Sequence, residues 1–424
     1  MKRIVLFATW IFAATTLLAA QKLEITSSRV LVDEQAVIRA TGLQANEHVT
    51  IQAQLTDGGE QVWKSEAGFV ADADGVVDTS KQAPTKGSYR EVSSMGLVWS
   101  MMPAEKKVVT YVSPHDLQPQ IINFGLVRNG QQVSTAQLEQ LQIADDLGRI
   151  SVKGKLHGVL FLPPGAGPHP GVLVLGGSEG GLPVPKAAWL ASHGFAALAL
   201  AYFRYEDLPR DLEGIPLEYF AEAIGWMMQR PEIAPERIGV MGTSRGGELA
   251  LQLGSMYPQL KAVVAYVPAN VRFAACCGGT AVPFAWTWKG QPLTYVMPRM
   301  ADSAQAEMAA GIAVEHTHGA ILLIGAEDDG VWHSSLMTQA LADRLHRDHF
   351  AYDIELLKYP HAGHRAGRPE IVPTWHGKTR HPVSGREMDL GGSWQGDAAS
   401  SIDAIPKVLK FLDDELANKP ESKR

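Results

Sequence analysis

The chain has 424 residues, 46% of them hydrophobic and 20% charged, with a formal net charge of −7 at pH 7. That length exceeds the usual size of one domain, so two are expected. No long run of Lys or Arg offsets the negative balance, which excludes nucleic acid as a partner.

The first twenty residues, "MKRIVLFATWIFAATTLLAA", set Lys2 and Arg3 before a largely apolar run that ends in small residues. This is the layout of a secretory signal peptide, assigned to 1–20. A retained single-pass anchor is the competing reading, because Ile4 to Ala20 is only slightly short of a bilayer span. Ala19 and Ala20 suit a processing site, and Gln21 stands where a lipid-anchored form would need Cys. The expectation is an exported chain, periplasmic or secreted, with no stable membrane span after processing.

From Leu23 to about Val112 the chain alternates apolar and polar residues in short segments: "LEITSS", "AVIRATGL", "HVTIQAQL", "QVWKSEAGFV" and "KVVTYV". Turn-rich pieces such as "TDGGE" and "DADG" separate them. Short strands with regular turn signals predict an all-β, immunoglobulin-like sandwich, assigned to 21–140.

From Leu156 onward the pattern changes. Apolar runs ("GVLFLPP", "GVLVLGG", "FAALALAYF", "RIGVMG", "KAVVAYV", "AILLIGAED", "YDIELLKYP") alternate with helical periods over Pro216–Arg230, Gly246–Tyr257, Ser334–Arg347 and Ala398–Leu416. Continuously apolar strands are buried on both faces, so 141–424 reads as a mostly parallel sheet with helices on each side. Between Val271 and Glu315 a segment rich in Gly, Pro and Trp lacks period. It follows a strand end, where coverings of ligand sites occur. It also holds the chain's two cysteines, Cys276 and Cys277. Being adjacent they cannot staple distant segments, and the expectation is two small buried residues in a loop, not a vicinal disulfide.

The stretch Gly239 to Leu253, "GVMGTSRGGELALQL", contains Gly242-Thr243-Ser244-Arg245-Gly246 between a strand-like and a helix-like run. A G-x-S-x-G in that context projects a serine oxygen from a tight turn. A serine nucleophile needs a histidine base oriented by a carboxylate. In chain order after Ser244, "AILLIGAEDDGVW" ends in Glu327, Asp328 and Asp329, and "YDIELLKYPHAGH" ends in His361 and His364. Each run delivers its polar residues at a strand's C-terminal edge. Asp329 is favoured because it lies far enough into its loop to turn back toward a histidine. His361 is the rival to His364, whereas His316, His318 and His333 fit the order poorly.

The chemistry also needs donors for an oxyanion. The Arg245 N–H, at a helix start, is one. Ser178, in "LGGSEGGL", is the choice for the other, with Gly177 and Glu179 close behind. That loop lacks the Lys-Ser/Thr ending of a nucleotide loop. The constellation calls for no metal and no cofactor. A non-catalytic module is the reading from another class, and an intact Ser-acid-His set argues against it.

These motifs, together with "LVDEQAVIRATGL", "ADADGVVDTS", "GSYREVSSMGLVWSMMP" and "LAYFRYEDLPRDLEGIPLEYFAEAI", run in an order that resembles the acyl-CoA thioester hydrolase and bile acid-CoA:amino acid N-acyltransferase family. The resemblance spans nearly the whole chain after the N-terminal run. It implies a β-sandwich on an α/β-hydrolase domain, acyl-CoA or another acyl ester as substrate, and Ser244, Asp329 and His364 as nucleophile, acid and base. The transferase branch of that family uses a cysteine nucleophile, so Ser244 favours hydrolysis over N-acyl transfer. Two features depart from the pattern: the export signal, and the loosely matching "FAACCGGTAVPFAWTWKGQPL". An exported carboxylesterase acting on oxygen esters is the alternative these departures leave.

Overall fold

The computed structural model describes residues 20–105, 110–297 and 304–417. The signal-peptide assignment therefore lies almost entirely outside the described residues, as does the first half of the "KVVTYV" strand; Thr110 to Val112 are not in a strand.

In the N-terminal part, His48–Thr56 and Val62–Val70 bury alternate residues. Val49, Ile51 and Leu55 thus meet Trp63 and Phe69 in one core. These strands belong to a seven-stranded sheet that faces a three-stranded one made by Lys22–Ile25, Ile38–Thr41 and Val77–Asp78. The larger sheet includes a hairpin, Gln120–Arg128 with Gln131–Leu141, that lies beyond the segments named from sequence. Asn129 and Gly130, both at positive φ, make its turn. It also includes one parallel pair, Arg29–Leu31 beside Glu139–Leu141, so the sandwich is not wholly antiparallel.

The second part is an α/β-hydrolase fold. Its sheet strands are β1 (Gly148–Val152), β2 (His157–Leu162), β3 (His169–Leu175), β4 (Ala196–Ala201), β5 (Ile233–Thr243), β6 (Leu260–Tyr266), β7 (Ala320–Ala326) and β8 (Ile354–Tyr359). They lie in the order β1-β2-β4-β3-β5-β6-β7-β8. The first two pairings are antiparallel and the rest parallel. The helices are α1 (Val184–Ser192), α2 (Glu218–Met228), α3 (Arg245–Met256), α4 (Ser334–Arg347) and α5 (Trp394–Leu416). Helix α1 carries no sequence expectation. Helix α5 begins four residues before the expected Ala398, because Ser393 accepts the Gly396 N–H as its N-cap.

Strand periodicity sorts the core into two faces. Val172 and Val174 point to the side of α1 and α5, continuous with the sandwich core. Leu173 and Leu175 point to the side of α2, α3 and α4. The junction with the sandwich is polar as well as apolar. The Asp33 carboxylate accepts from Trp189 Nε1 at 2.9 Å and meets His193 Nε2 at 2.9 Å. The Ile371 N–H donates to Val32 O at 2.8 Å, and Gln140 Nε2 donates to Ile371 O at 3.1 Å.

His193 is held above its ordinary value of 6.5. Burial opposes the charge, but Asp33 and more distant carboxylates outweigh it. A raised folded-state value stabilises fully below the ordinary value and is lost as pH climbs through the raised one. Asp33→Ala should therefore lower the thermal midpoint more at about pH 5.5 than at about pH 9. An equal loss at both would assign the contact to the Trp189 bond alone.

Candidate active site

Ser244 joins the end of β5 to the start of α3 with φ 58° and ψ −120°, a backbone conformation costly for a residue with a Cβ. The turn closes because its neighbours have no side chain. A Cβ on Gly242 would sit 1.9 Å from Gly246 O, and one on Gly246 would sit 2.2 Å from Gly176 O. The Ser244 N–H donates to Tyr266 O at 2.9 Å, which ties the turn to β6.

His364 Nε2 lies 2.8 Å from Ser244 Oγ, and His364 Nδ1 lies 3.0 and 2.9 Å from the two Asp329 carboxylate oxygens. With the carboxylate on the Nδ1 side, the ring proton belongs there, and Nε2 is left to accept from the serine. Asp329 is buried, and its Oδ1 also accepts from Val331 N at 2.9 Å. Trp332 packs edge-on against the imidazole at 4.8 Å between ring centres. The rivals face each other outside: His361 Nδ1 lies 3.5 Å from Asp328 Oδ2, with side chains 79% and 54% exposed. Glu327, His316, His318 and His333 are exposed.

A segment that carried no sequence expectation aligns the two loops. Leu390 O accepts from His364 N at 2.7 Å and from Gly330 N at 3.1 Å. Gly391, at φ +68°, passes so close that a Cβ would lie 1.9 Å from Asp328 O. Behind the base, Asp397 Oδ1 accepts from Gly363 N at 2.8 Å while its Oδ2 meets His376 Nε2 at 3.1 Å. The Gly391-Gly392 pair was the available signal, since adjacent glycines mark a close backbone approach.

Comparison with known proteins places the chain in a family. The family model "Acyl-CoA thioester hydrolase/BAAT N-terminal region" matches 33–154, and "BAAT / Acyl-CoA thioester hydrolase C terminal" matches 215–418. The chain belongs to this family. A mouse relative named acyl-coenzyme A amino acid N-acyltransferase 1 is 34% identical over 92% of this chain and 97% of its own. A human relative named acyl-coenzyme A thioesterase 6 is 29% identical over 94% of this chain and 97% of its own. The mouse peroxisomal succinyl-coenzyme A thioesterase is 28% identical over 91% and 94%.

Beside the Ser244 turn lies a cleft of about 720 Å³ lined by Ser178, Arg245, Phe273, Cys276, Trp332 and His381, among others. The loop after β3 edges it. Gly177 lies against Ser244, where a Cβ would meet Ser244 Cβ at 3.4 Å, but its own N–H donates to Glu179 Oε1 at 3.0 Å. Ser178 Oγ pairs with His381 Nε2 at 2.9 Å. His381 Nδ1 accepts from Val383 N and Ser384 N, so the ring's proton sits on Nε2 and donates to Ser178. Burial, and then Arg204, hold His381 below its ordinary value against the pull of Glu179, which keeps it neutral near pH 7.

The cover of the cleft comes from Phe273 to Thr280 and Met297, within the segment that lacked period in sequence, and Arg245 is its anchor. The Arg245 guanidinium donates to Ala274 O at 2.9 Å and Phe273 O at 3.1 Å and pairs with Glu248 at 2.9 Å. Glu248 in turn accepts from Trp286 Nε1 at 2.8 Å. Sequence reasoning used only the backbone of Arg245; an Arg and a Glu three apart on an otherwise apolar helix was the missed signal. Cys276 and Cys277 depart from expectation, since they form a vicinal disulfide with Cα atoms 3.6 Å apart. The left-handed φ of 97° at Cys277 lets the two sulfurs meet within one turn.

Gly246→Ala tests the turn directly. The methyl must displace the backbone of the loop after β3, at a cost of about 1–3 kcal/mol in urea unfolding. Turnover should fall by about 10²-fold, the effect of an ångström-scale misplacement of reacting groups.

Proposed function

We propose that this chain is a serine acyl-CoA thioester hydrolase working through an acyl-enzyme, with Ser244 as nucleophile, His364 as base and Asp329 as the acid that orients it. The observation that carries the reading is the unbroken chain of contacts from Ser244 Oγ through the His364 ring to the Asp329 carboxylate. Ser244 Oγ attacks the thioester carbonyl while its proton passes to His364 Nε2. The C–S bond then breaks, and the thiol leaves with that proton. Water repeats the sequence on the oxygen ester, releasing the acid and restoring Ser244.

Negative charge on the carbonyl oxygen needs donors that do not reorganise. The Arg245 N–H, in the first turn of α3, is one in this reading. The Ser178 N–H is the other, because the Gly177 N–H is already engaged by Glu179. The acyl chain lies in the cleft beneath Phe273, Trp332 and the cystine, and its length follows from that wall.

A second reading has one specific observation in its favour, the 34% identity to a relative named as an N-acyltransferase. The serine at 244 supports hydrolysis instead, since the transferase branch that the chain resembles carries a cysteine there. Mass analysis of products formed with and without added glycine or taurine separates the two; an N-acyl amino acid as the main product would replace hydrolysis with transfer. Export belongs to the same proposal. It is supported by the signal-like 1–20 and by a cystine that suits an oxidising compartment. N-terminal sequencing of the native protein tests it.

Ser244→Ala should lower turnover by roughly 10⁴–10⁶-fold in a chain that still folds by circular dichroism. Asp329→Asn should cost about 10²–10⁴-fold, since an amide holds the wrong imidazole tautomer and leaves its cation unopposed. Asp328→Asn and His361→Ala, which change the outer pair, should stay near wild type. Steady-state kinetics on a panel of acyl-CoA and aryl esters reads all four, and the reverse ranking of the aspartates would move the acid by one residue.

A further inference from the structure

A short hairpin, Thr379–Arg380 paired with Glu387–Met388, stands between two cavities. One is the cleft beside Ser244, lined on this side by His381, Val383, Ser384, Arg386 and Met388. The other, of about 580 Å³, is lined by Arg365, Arg368, Lys378, Thr379, Arg380 and Glu387, among others. Glu387 borders both. Arg380 and Pro382 line the second cavity, and His381 and Val383 line the first.

The second cavity is strongly basic in a chain whose net charge is −7. Arg365, Arg368, Lys378 and Arg380 line it, against Glu387 alone. Lys378 pairs with Glu387 at 3.1 Å, and Arg368 with Glu370 at 3.4 Å. Among the described residues no carboxylate comes within ion-pair distance of Arg365 or Arg380, and Arg365 Nε has no hydrogen-bond partner. Burial, and then the neighbouring Arg368 cation, pull Arg365 below the ordinary guanidinium value. Glu370 and Asp397 act on Arg365 from farther away, yet cations that outnumber their carboxylates still cost free energy unless an anion joins them. The cavity also touches the machinery: Arg365 follows His364 in the chain, and Leu390, which lines the cavity, takes the His364 N–H.

We infer that this basic cavity binds the phosphate groups of a coenzyme A leaving group, while the acyl chain occupies the cleft on the other side of the hairpin. The inference rests on the thioesterase reading and names how that site tells a coenzyme A thioester from a simple ester. The thiol carries several phosphate charges at neutral pH, and guanidinium groups match phosphate oxygens in bidentate geometry. A neutral ester has nothing for these residues to hold. The phosphates bind equally before and during reaction, so the cavity acts on KM more than on kcat.

Lys378→Ala/Arg380→Ala in the full chain is the test; both side chains are exposed, and neither touches Ser244, Asp329 or His364. For one acyl group, KM on the coenzyme A thioester should rise at least about tenfold with kcat nearly unchanged. The pantetheine thioester and the p-nitrophenyl ester of that acid should change by less than about twofold. Added salt should raise KM for the coenzyme A thioester in the wild type and do so less in the variant. An equal loss on all three substrates, or no loss on any, overturns the inference while leaving thioester hydrolysis intact. If the wild type cleaves only the aryl ester, thioester hydrolysis itself fails. Calorimetric titration with free coenzyme A then decides the cavity, with inorganic phosphate as competitor. Binding that the double variant loses and that phosphate at equal concentration does not displace upholds the site; no binding, or binding matched by phosphate, overturns it.

Discussion

The backbone of Ser244 is the constraint on which the rest of this structure depends. At φ 58° and ψ −120° it sits where a non-glycine residue costs on the order of 1–3 kcal/mol, and it persists only because its surroundings over-determine it. Its N–H is fixed to β6, and its carbonyl accepts Glu248 N at 3.0 Å to start α3. On both sides the chain approaches itself more closely than any Cβ allows. The reward is positional. A serine oxygen stands clear of the sheet at the C-terminal edge of β5, the edge that β7 and β8 also reach with the loops that carry Asp329 and His364.

Positioning His364 is where the N-terminal sandwich enters. The segment directly after His364 runs back under that domain. Ile371 donates to Val32, Thr374 N donates to Trp99 O at 3.1 Å, and Trp375 packs edge-on against Trp63. From there Thr374 Oγ1 reaches Trp394 O at 2.8 Å, at the start of the helix whose Asp397 holds Gly363. The histidine loop is thus gripped from the sandwich on one side and from α5 on the other. A catalytic histidine must keep its ring within a few tenths of an ångström of two partners, and a free loop does not do so. The sandwich core merges with one face of the α/β sheet, so the hydrogen bonds of that grip rest on continuous apolar packing.

Much of this was legible in the sequence, for identifiable reasons. The strands β2 to β7 hold continuous apolar runs, a pattern that little else in a chain of this composition produces, whereas the edge strand β8 exposes Glu355 and Lys358. Ser244, Asp329 and His364 each sit at the end of such a run, and burial then separates Asp329 from Asp328 and His364 from His361. The elements that escaped notice lack a local signature. Helix α1 is short and opens on prolines, and its buried face of Ala187, Ala188 and Trp189 carries little period. The Gln120–Leu141 hairpin hides its alternation under glutamines, although Asn129-Gly130 marks its turn. The Leu390–Gly391 clamp is a tertiary event, two backbones meeting from sequence positions with no shared pattern. The cystine escaped because adjacency excludes a staple but says nothing against a ring of two neighbours.

That ring bears on how the cleft is walled. Cross-linking adjacent residues removes almost no loop entropy from the unfolded chain, so the disulfide adds little global stability. Its effect is local: it fixes the turn at Cys277, next to Gly278, where a Cβ would lie 2.0 Å from Asp211 Oδ1. Cys276 N also donates to Leu212 O at 3.1 Å, joining the turn to the segment after β4. Beside the cystine the same cover is drawn down at Phe273 and Ala274 by Arg245, whose charge and that of Glu248 are buried and so must stay matched. Burial raises Glu248 above the usual carboxylate range, while Arg245 and then Trp286 act to keep it ionised. The wall over Ser244 is therefore pinned by a covalent ring and, just before it in the chain, by a buried ion pair rooted in the residue after Ser244. Any change in acyl specificity that moves this wall must relax one of those two pins, and only the cystine can be released without unpairing a buried charge.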